Sequence, residues 1–269
     1  MTSNFAFLRT RFPELAELGM LAERYLHSDP QSCLMKTGLL CEGMVRVMCA
    51  QDHIPLPERC DAVTRINILQ QRDVLPSDVA AAFHLLRKER NRAAHEGGPF
   101  SPEKTRVLLQ IAHSLCGWFS QTYGDETSRP EAFVTPAATD EARQEDGGKA
   151  GQDAELAEQA VAHAARNAAE PEDVRRRRAA AAAGARRISE AETRYLIDEQ
   201  LRKVGWEADS ESLRYALGTR PQAGRNLAIA EWPTDAEAGG RGHADYALFV
   251  GTRLVGIIEA KARHKDIPA

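Results

Sequence analysis

Two carboxylates and a lysine stand near the C-terminal end of the chain, at the ends of two apolar segments. Asp245 lies at the start of one segment, residues 244–250, while Glu259 and Lys261 lie at the end of the next, residues 254–260 and just beyond. A short glycine-containing turn separates the segments, which predicts a β-hairpin with Asp245 nearly opposite Glu259. Glu259 and Lys261 are two residues apart, so their side chains point to the same face. Such charges are costly to bury without a partner, and the pattern predicts a metal site.

This set of side chains is the one that hydrolysis of a phosphodiester needs. Asp245 and Glu259 offer oxygen ligands for Mg²⁺. A bound metal ion polarises a phosphate and lowers the pKa of a bound water. Lys261 would orient that water or stabilise the charge that develops on phosphorus. Surface strands also produce Asp and Glu-x-Lys by chance, but the two isoleucines directly before Glu259 favour the functional interpretation.

The pattern of Asp245 followed by Glu259-Ala260-Lys261 resembles the PD-(D/E)xK nuclease superfamily, with Ala244 in place of the proline. The resemblance implies that a carboxylate from the first helix of the domain completes the metal site. Glu190 and Glu192 are the two candidates in that helix. Glu190 shares a helix face with the apolar residues, whereas Glu192 is better placed to close a capping box. Glu190 is therefore the predicted third carboxylate.

Four segments make the resemblance more specific, and they occur in order along the chain: residues 190–206, 228–234, 244–250 and 259–261. Together they resemble the start of the nuclease domain of type I restriction enzyme R subunits. The resemblance implies Mg²⁺-dependent endonucleolytic cleavage of unmodified double-stranded DNA within a larger complex. It also implies the methylase and specificity subunits of that complex as partners.

The sequence lacks the nucleotide-binding motif that the motor domains of that family contain. No Gly-x-x-x-x-Gly-Lys-(Ser/Thr) phosphate loop occurs in the sequence, so ATP would act only through motor domains absent from this chain. The sequence also stops at Ala269, before the further helix and strand of the superfamily core. We therefore expect the N-terminal portion of an R subunit, inactive as a nuclease on its own.

The pattern of apolar residues divides the chain into three parts. Residues 1–124 have apolar residues at helical spacing in five stretches, which predicts an all-α bundle. Residues 125–187 are rich in Ala, Glu and Arg with few large apolar residues, which predicts a partly helical, solvated linker. Residues 188–269 predict the start of an α/β nuclease core with a helix followed by strands. The predicted fold class is α+β, with an incomplete PD-(D/E)xK core.

A second candidate site lies in the helical part, at the end of the fourth predicted helix. Arg90, Asn91 and His95 resemble the Arg-Asn-x-x-x-His motif of HEPN domains, which include metal-independent RNases. Asn91 and His95 are four residues apart and share a helix face. An imidazole can act as a general acid or base on a ribose hydroxyl, with an arginine on the phosphate. The alternative, that these side chains brace and cap a helix end, has the stronger support.

The linker contains a run of four arginines: Arg175, Arg176, Arg177 and Arg178. Clustered arginines neutralise a nucleic-acid backbone, which predicts a weak DNA-backbone contact. The alternative is a solvated helix face. With the helical part, this run also supports a different function, that of a non-catalytic module that docks onto DNA or onto other subunits.

Composition limits the remaining possibilities. A net charge of −4 over 269 residues excludes a uniformly basic nucleic-acid coat, although not a local basic groove. No apolar run approaches the length of a membrane span, so we expect no membrane partner. The five cysteines have no zinc or redox spacing, and we expect those at 33, 41 and 49 to be buried free thiols on helices. Reduced thiols and the absence of a signal sequence predict a cytoplasmic protein.

Overall fold

The computed structural model describes residues 3–95, 100–138, 150–236 and 240–260, and the chain divides into two units, residues 1–187 and 188–269. The first unit is helical. Its α-helices are α1 (Pro13–Tyr25), α2 (Pro30–Gln51), α3 (Ala62–Gln71), α4 (Ser77–His95), α5 (Pro102–Phe119), α6 (Ala150–Ala164) and α7 (Glu172–Ala185). A 3₁₀ turn, Ala6–Leu8, precedes α1, and a π-helical turn, Ser120–Gly124, continues α5.

The helix starts of this unit follow from local side-chain chemistry. Asp29, Asp61 and Ser101 each accept a hydrogen bond from a backbone N–H three residues further along, at the first turns of α2, α3 and α5. Pro30 and Pro102 occupy first helical positions, where the missing N–H has no consequence. The five helices predicted in residues 1–124 are confirmed.

The core of the bundle is built around α2, and its largest fully buried side chains come from several helices. They include Trp118, Phe83, Phe119, Leu15 and Met44. Cys33, Cys41, Cys49 and Cys116 are buried free thiols, as the spacing predicted for the first three. Desolvation by burial raises the pKa of Cys33 and Cys49 to about 12, so these thiols stay protonated at neutral pH.

The expectation of a solvated linker is wrong for residues 150–185, which pack onto the bundle as α6 and α7. The buried face of these helices consists of alanines: Ala157, Ala160, Ala164, Ala179, Ala182 and Ala183. Small side chains let helices approach closely, so a segment without large apolar residues still contributes to a core. The sequence argument failed because it counted large apolar residues and gave alanine no weight.

Buried polar contacts fasten these two helices in place. Lys36 Nζ on α2 lies 2.6 Å from Asp153 Oδ2 on α6, and both side chains are less than a tenth exposed. On α7, the carbonyl of Ala179 accepts a 3.0 Å hydrogen bond from Trp118 Nε1. Each pair satisfies groups that would be costly to bury alone.

His113 makes the stability of the helical unit depend on pH. Its ring is buried on α5 among Phe5, Phe7 and Phe133. Desolvation lowers the pKa of His113 to about 4, against the opposing effect of a hydrogen bond with the Asn4 backbone. Because this pKa lies below the ordinary value of 6.5, the unfolded chain takes up the proton first as the pH falls. The free energy of unfolding should therefore decrease by about 3 kcal/mol between about pH 6.5 and pH 4.

Denaturant unfolding followed by circular dichroism at several pH values measures this effect. His113→Phe should remove most of the decrease, whereas His163→Gln, at a half-exposed histidine of α6, should leave it unchanged. An equal pH dependence in wild type and His113→Phe would assign the decrease to other groups.

The second unit places one helix before a four-stranded sheet, among the residues described. Helix α8 (Glu190–Lys203) is followed by β1 (Glu207–Ala208), β2 (Asn226–Ala236), β3 (Gly240–Val250) and β4 (Arg253–Ile258). The strands are adjacent in that order, with β1 parallel to β2 and the other pairs antiparallel. Val250 pairs with Arg253 across a two-residue turn in which Gly251 has a positive φ of 61°. The predicted hairpin and the α+β class are confirmed.

Each face of the sheet has its own apolar cluster. The cluster that includes Leu201 of α8 contains Ala208, Ala228, Ala230 and Tyr246, with Ile197 and Ile258 packed against it. A separate cluster contains Leu227, Ile229, Ala247 and Phe249, with Trp232 packed against it. This alternation along β2 and β3 anchors α8 to the strands that carry the candidate site. Among the described residues, no helix is both long and apolar enough to cross a membrane.

Candidate active site

Three acidic residues lie side by side across the sheet. On β2, Glu231 stands between two residues that pair with the two neighbours of Asp245 on β3. On the other side of β3, Tyr246 pairs with Ile258, so the same register brings Asp245 alongside Glu259. The row of Glu231, Asp245 and Glu259 therefore runs across β2, β3 and the end of β4. The sequence predicted the second and third members of this row.

Asp245 is the most enclosed member of the row, with its side chain 18% exposed. Its Oδ2 accepts a 2.7 Å hydrogen bond from the backbone N–H of Ala260, which fixes the carboxylate against the chain that leaves β4. Its Oδ1 lies 3.4 Å from Nη2 of Arg194 on α8. Glu259 is exposed, and Lys261 lies outside the described residues.

Arg194 is the cation at the centre of the acidic residues. Its Nη2 lies 3.0 Å from Glu190 Oε1, and its Nη1 lies 3.0 Å from Glu231 Oε1. Desolvation acts to lower the pKa of Arg194, but the hydrogen bond that Arg194 donates to Glu231 and the charges of Glu190 and Asp245 outweigh it and raise this pKa. One guanidinium thus connects α8, β2 and β3.

Glu231 has an unusual backbone for a residue within a strand. Its φ is +52°, in the left-handed region that residues other than glycine rarely adopt. Its carboxylate is held by two arginines, with Oε1 2.7 Å from Arg214 Nη2 and 3.0 Å from Arg194 Nη1. Backbone strain of this kind persists where the surroundings impose it and is concentrated at functional sites.

A buried hydrogen-bond network sets the position of α8 over the sheet. Asp198 Oδ2 accepts from the backbone N–H and the hydroxyl of Ser210, at 2.9 and 2.8 Å. The Tyr246 hydroxyl donates to Asp198 Oδ1 and to the Arg194 carbonyl, both at 3.0 Å. Burial raises the pKa of Asp198, against these hydrogen bonds, and raises that of Tyr246. The network fixes the backbone of Arg194 against Tyr246, the residue next to Asp245 on β3.

The predicted placement of the two glutamates on α8 is wrong, since Glu192 is buried while Glu190 is exposed. Glu190 is the first residue of the helix, and its carboxylate contacts the same guanidinium as Asp245. Glu192 is instead 1% exposed, and its N–H donates to Ser189 Oγ at the helix start, as the capping sequence predicted. Glu190 is 71% exposed and reaches the site only through Arg194.

The donor set suits a hard divalent ion, since Glu231, Asp245 and Glu259 all present carboxylate oxygens. Within the described part of the chain, no group of three or more His, Cys, Asp or Glu residues is arranged to hold a metal ion. Arg194 offsets one of the two negative charges of the enclosed pair Glu231 and Asp245. The residues therefore fit Mg²⁺ in chemistry, with a guanidinium as the cation already between them.

The residues of the HEPN-like motif are only partly brought together. Arg90 and Asn91 line a cavity of about 400 Å³ bounded by α2, α3 and α4, and Arg90 Nη1 donates to Asn91 Oδ1 at 3.3 Å. His95 is the exposed last residue of α4 and is not among the residues that line this cavity. An RNase role for the three residues stays a prediction.

The four arginines of α7 differ in their availability to DNA. Arg175 is 2% exposed and faces the bundle, which contradicts a phosphate contact at this position. Arg176 and Arg177 pair with Glu172 and Asp173 one helical turn earlier, and Arg178 pairs with Glu170. Arg177 is the most exposed of the four, and its predicted contact with DNA stays a prediction.

Sequence reasoning missed Arg194 and Glu231. Arg194 follows Glu190 by four residues on a helix, a spacing that predicts an ion pair. Glu231 interrupts the apolar run of β2, and a charge within an otherwise buried strand was the available signal. Neither signal gives the register that brings both residues to Asp245.

Comparison with known proteins gives one family match within each unit. Residues 207–269 match the family described as the second domain of the type I restriction enzyme EcoKI endonuclease subunit. Residues 21–146 match a domain of unknown function, DUF4145. The match to the restriction family begins at the first residue of β1 and contains Asp245, Glu259 and Lys261.

One characterised relative supports the same class. The chain is 55% identical over 83 residues to the type I restriction enzyme EcoKI endonuclease subunit of Escherichia coli (strain K12). The alignment covers 30% of this chain and 7% of that protein, so the chain spans a small part of its relative. No solved structure matches the chain. The chain is therefore similar, over part of its length, to a type I restriction enzyme subunit.

Proposed function

We propose that residues 188–269 carry the metal-binding part of the nuclease site of a type I restriction endonuclease subunit, with a PD-(D/E)xK type of core. The reaction would be Mg²⁺-dependent cleavage of unmodified double-stranded DNA. The observation that carries the proposal is the row of Glu231, Asp245 and Glu259 across β2 to β4. This row lies within the region similar to the EcoKI endonuclease subunit.

The proposed roles follow from position. Asp245 and Glu259 hold Mg²⁺, with Glu190 assisting from α8, and Glu231 adds a fourth carboxylate. The bound ion supplies Lewis acidity and a more acidic water. Arg194 and Arg214 balance the charge of Glu231 and hold it beside Asp245. Lys261 follows Glu259 by two residues and would orient the attacking water or stabilise charge on phosphorus.

The remaining parts of the function come from the similarity to a restriction subunit. The partners would be double-stranded DNA and the methylase and specificity subunits, and ATP would be used by motor domains outside this chain. The free cysteines of the helical unit suit the reducing cytoplasm, where we place this activity. A docking module without chemistry and a HEPN-type RNase have weaker support, because no observed contact assembles a site for either.

Isothermal titration calorimetry of the whole chain with MgCl₂ tests the proposal. Wild type should bind Mg²⁺ at millimolar concentrations, and Asp245→Asn should lose this binding because a neutral amide is a poor ligand for a hard cation. The matched control is Glu207→Gln, at an exposed carboxylate of β1 that pairs with Arg225 in the same unit. No binding by wild type, or equal binding by Asp245→Asn, would overturn the assignment of the metal site.

A further inference from the structure

Arg194 contacts the same carboxylates that would bind a metal ion. Its guanidinium contacts carboxylates from three elements, at 3.0 Å from Glu190, 3.0 Å from Glu231 and 3.4 Å from Asp245. Its side chain is 22% exposed, so water screens these contacts incompletely. The contact with Asp245 uses the Oδ1 atom, since Oδ2 accepts from the Ala260 N–H. The available oxygen of the most enclosed carboxylate is therefore directed at Arg194.

The surrounding negative charges favour the position of the Arg194 guanidinium beside the three carboxylates. Glu190, Glu231 and Asp245 carry three negative charges, which Arg194 and Arg214 reduce to a net charge of −1. A divalent ion on Asp245 would stand close to a guanidinium of the same sign, and like charges at short range disfavour joint occupancy. The hydrogen bond from Tyr246 fixes only the backbone of Arg194, so the guanidinium is held by its contacts with the carboxylates alone and moves once these are broken.

We propose that Arg194 is a resident counter-cation that competes with the divalent metal for Asp245 and Glu231. In the absence of metal it offsets part of the charge of the two carboxylates and holds the site in a state of low metal affinity. Metal binding requires its guanidinium to leave Asp245, while Glu190 offers it an exposed partner one helical turn away. This inference rests on the proposed function, since it concerns the same site.

Replacing Arg194 should therefore strengthen metal binding. In calorimetric titrations of the whole chain with MgCl₂, Arg194→Gln should bind at least about tenfold more tightly than wild type, because the competing charge is gone. Arg194→Lys keeps the charge but cannot contact three carboxylates at once, and it should bind slightly more tightly than wild type. The matched control is Lys203→Gln, which removes one exposed positive charge from the same helix and should leave the affinity unchanged.

The double variant Arg194→Gln/Asp245→Asn shows whether the tighter Mg²⁺ binding of Arg194→Gln depends on Asp245. Loss of this tighter binding in the double variant supports competition at Asp245, and its retention overturns the inference. Equal affinity of wild type, Arg194→Gln and Arg194→Lys, with loss in Asp245→Asn alone, overturns the inference and leaves the proposed function in place. No binding by any variant overturns both. Circular dichroism verifies that each variant is folded, and Arg194→Lys decides the outcome if Arg194→Gln is not.

Discussion

Asp245→Asn should reduce DNA cleavage at least about 100-fold, which is the loss expected when one charged group at a catalytic centre is removed. The substitution is conservative in shape. The asparagine oxygen can still accept the Ala260 N–H that Asp245 Oδ2 accepts at 2.7 Å, so the chain after β4 should keep its path. The change removes only the negative charge and one ligand oxygen. The loss should therefore appear in catalysis and not in folding.

The assay uses the longer restriction subunit that we propose contains this chain, assembled with its partner subunits on unmodified double-stranded DNA. Cleavage is measured together with ATP hydrolysis, which should be unchanged if the motor domains lie outside this chain, as proposed above. Glu207→Gln serves as the matched control within the same unit. Cleavage by Asp245→Asn within a factor of three of wild type, on the order of half a kcal/mol in barrier, would show that Asp245 is not in the active site.

Arg175→Met should destabilise the helical unit by about 3–5 kcal/mol, the cost of removing one partner from a buried ion pair. Arg175 is 2% exposed, with Nε 3.0 Å from Asp52 Oδ1 and Nη1 2.9 Å from Glu170 Oε2. Its guanidinium also lies over the Tyr123 ring at 4.0 Å. Burial raises the pKa of Asp52, and the charge of Arg175 opposes that rise. Without Arg175, this carboxylate stays buried with the Tyr123 hydroxyl as a neutral partner.

Chemical unfolding monitored by circular dichroism at neutral pH measures the loss. Arg177→Met is the matched control: the same substitution two residues along α7, at a side chain 74% exposed, should change stability by less than about 0.5 kcal/mol. If the two variants unfold at the same denaturant concentration, the four arginines form a solvated face after all and the packing of α7 is misassigned.

The sequence was sufficient to predict features set by short-range chemistry. Apolar residues at helical spacing predicted the helices of residues 1–124, and the glycine-containing turn predicted the hairpin. The predicted alignment of Asp245 with Glu259 arises in the structure from a two-residue turn together with a shift of register between Leu248 and Phe249, which the sequence did not predict. Glu190 was preferred to Glu192 from helix periodicity, and it contacts the guanidinium beside Asp245, but the buried residue of the two is Glu192.

The features that were missed depend on pairings between distant segments. Glu231 reaches Asp245 through the β2–β3 register, and Arg194 reaches both through the packing of α8, which Asp198 and Ser210 fix by a buried hydrogen bond. No local pattern contains these distances. The packing of α6 and α7 onto the bundle was missed for a related reason, since alanines contribute to a core only when a complementary surface lies opposite them.

The left-handed backbone of Glu231 sets the stability of β2 against the role proposed for its carboxylate. A non-glycine residue in this conformation costs on the order of 1 kcal/mol, which glycine would not incur. Glycine at this position would relieve that cost, but it would also remove the carboxylate that pairs with Arg194 and Arg214. The two ion pairs therefore offset the backbone cost of keeping a charge at this point of the row.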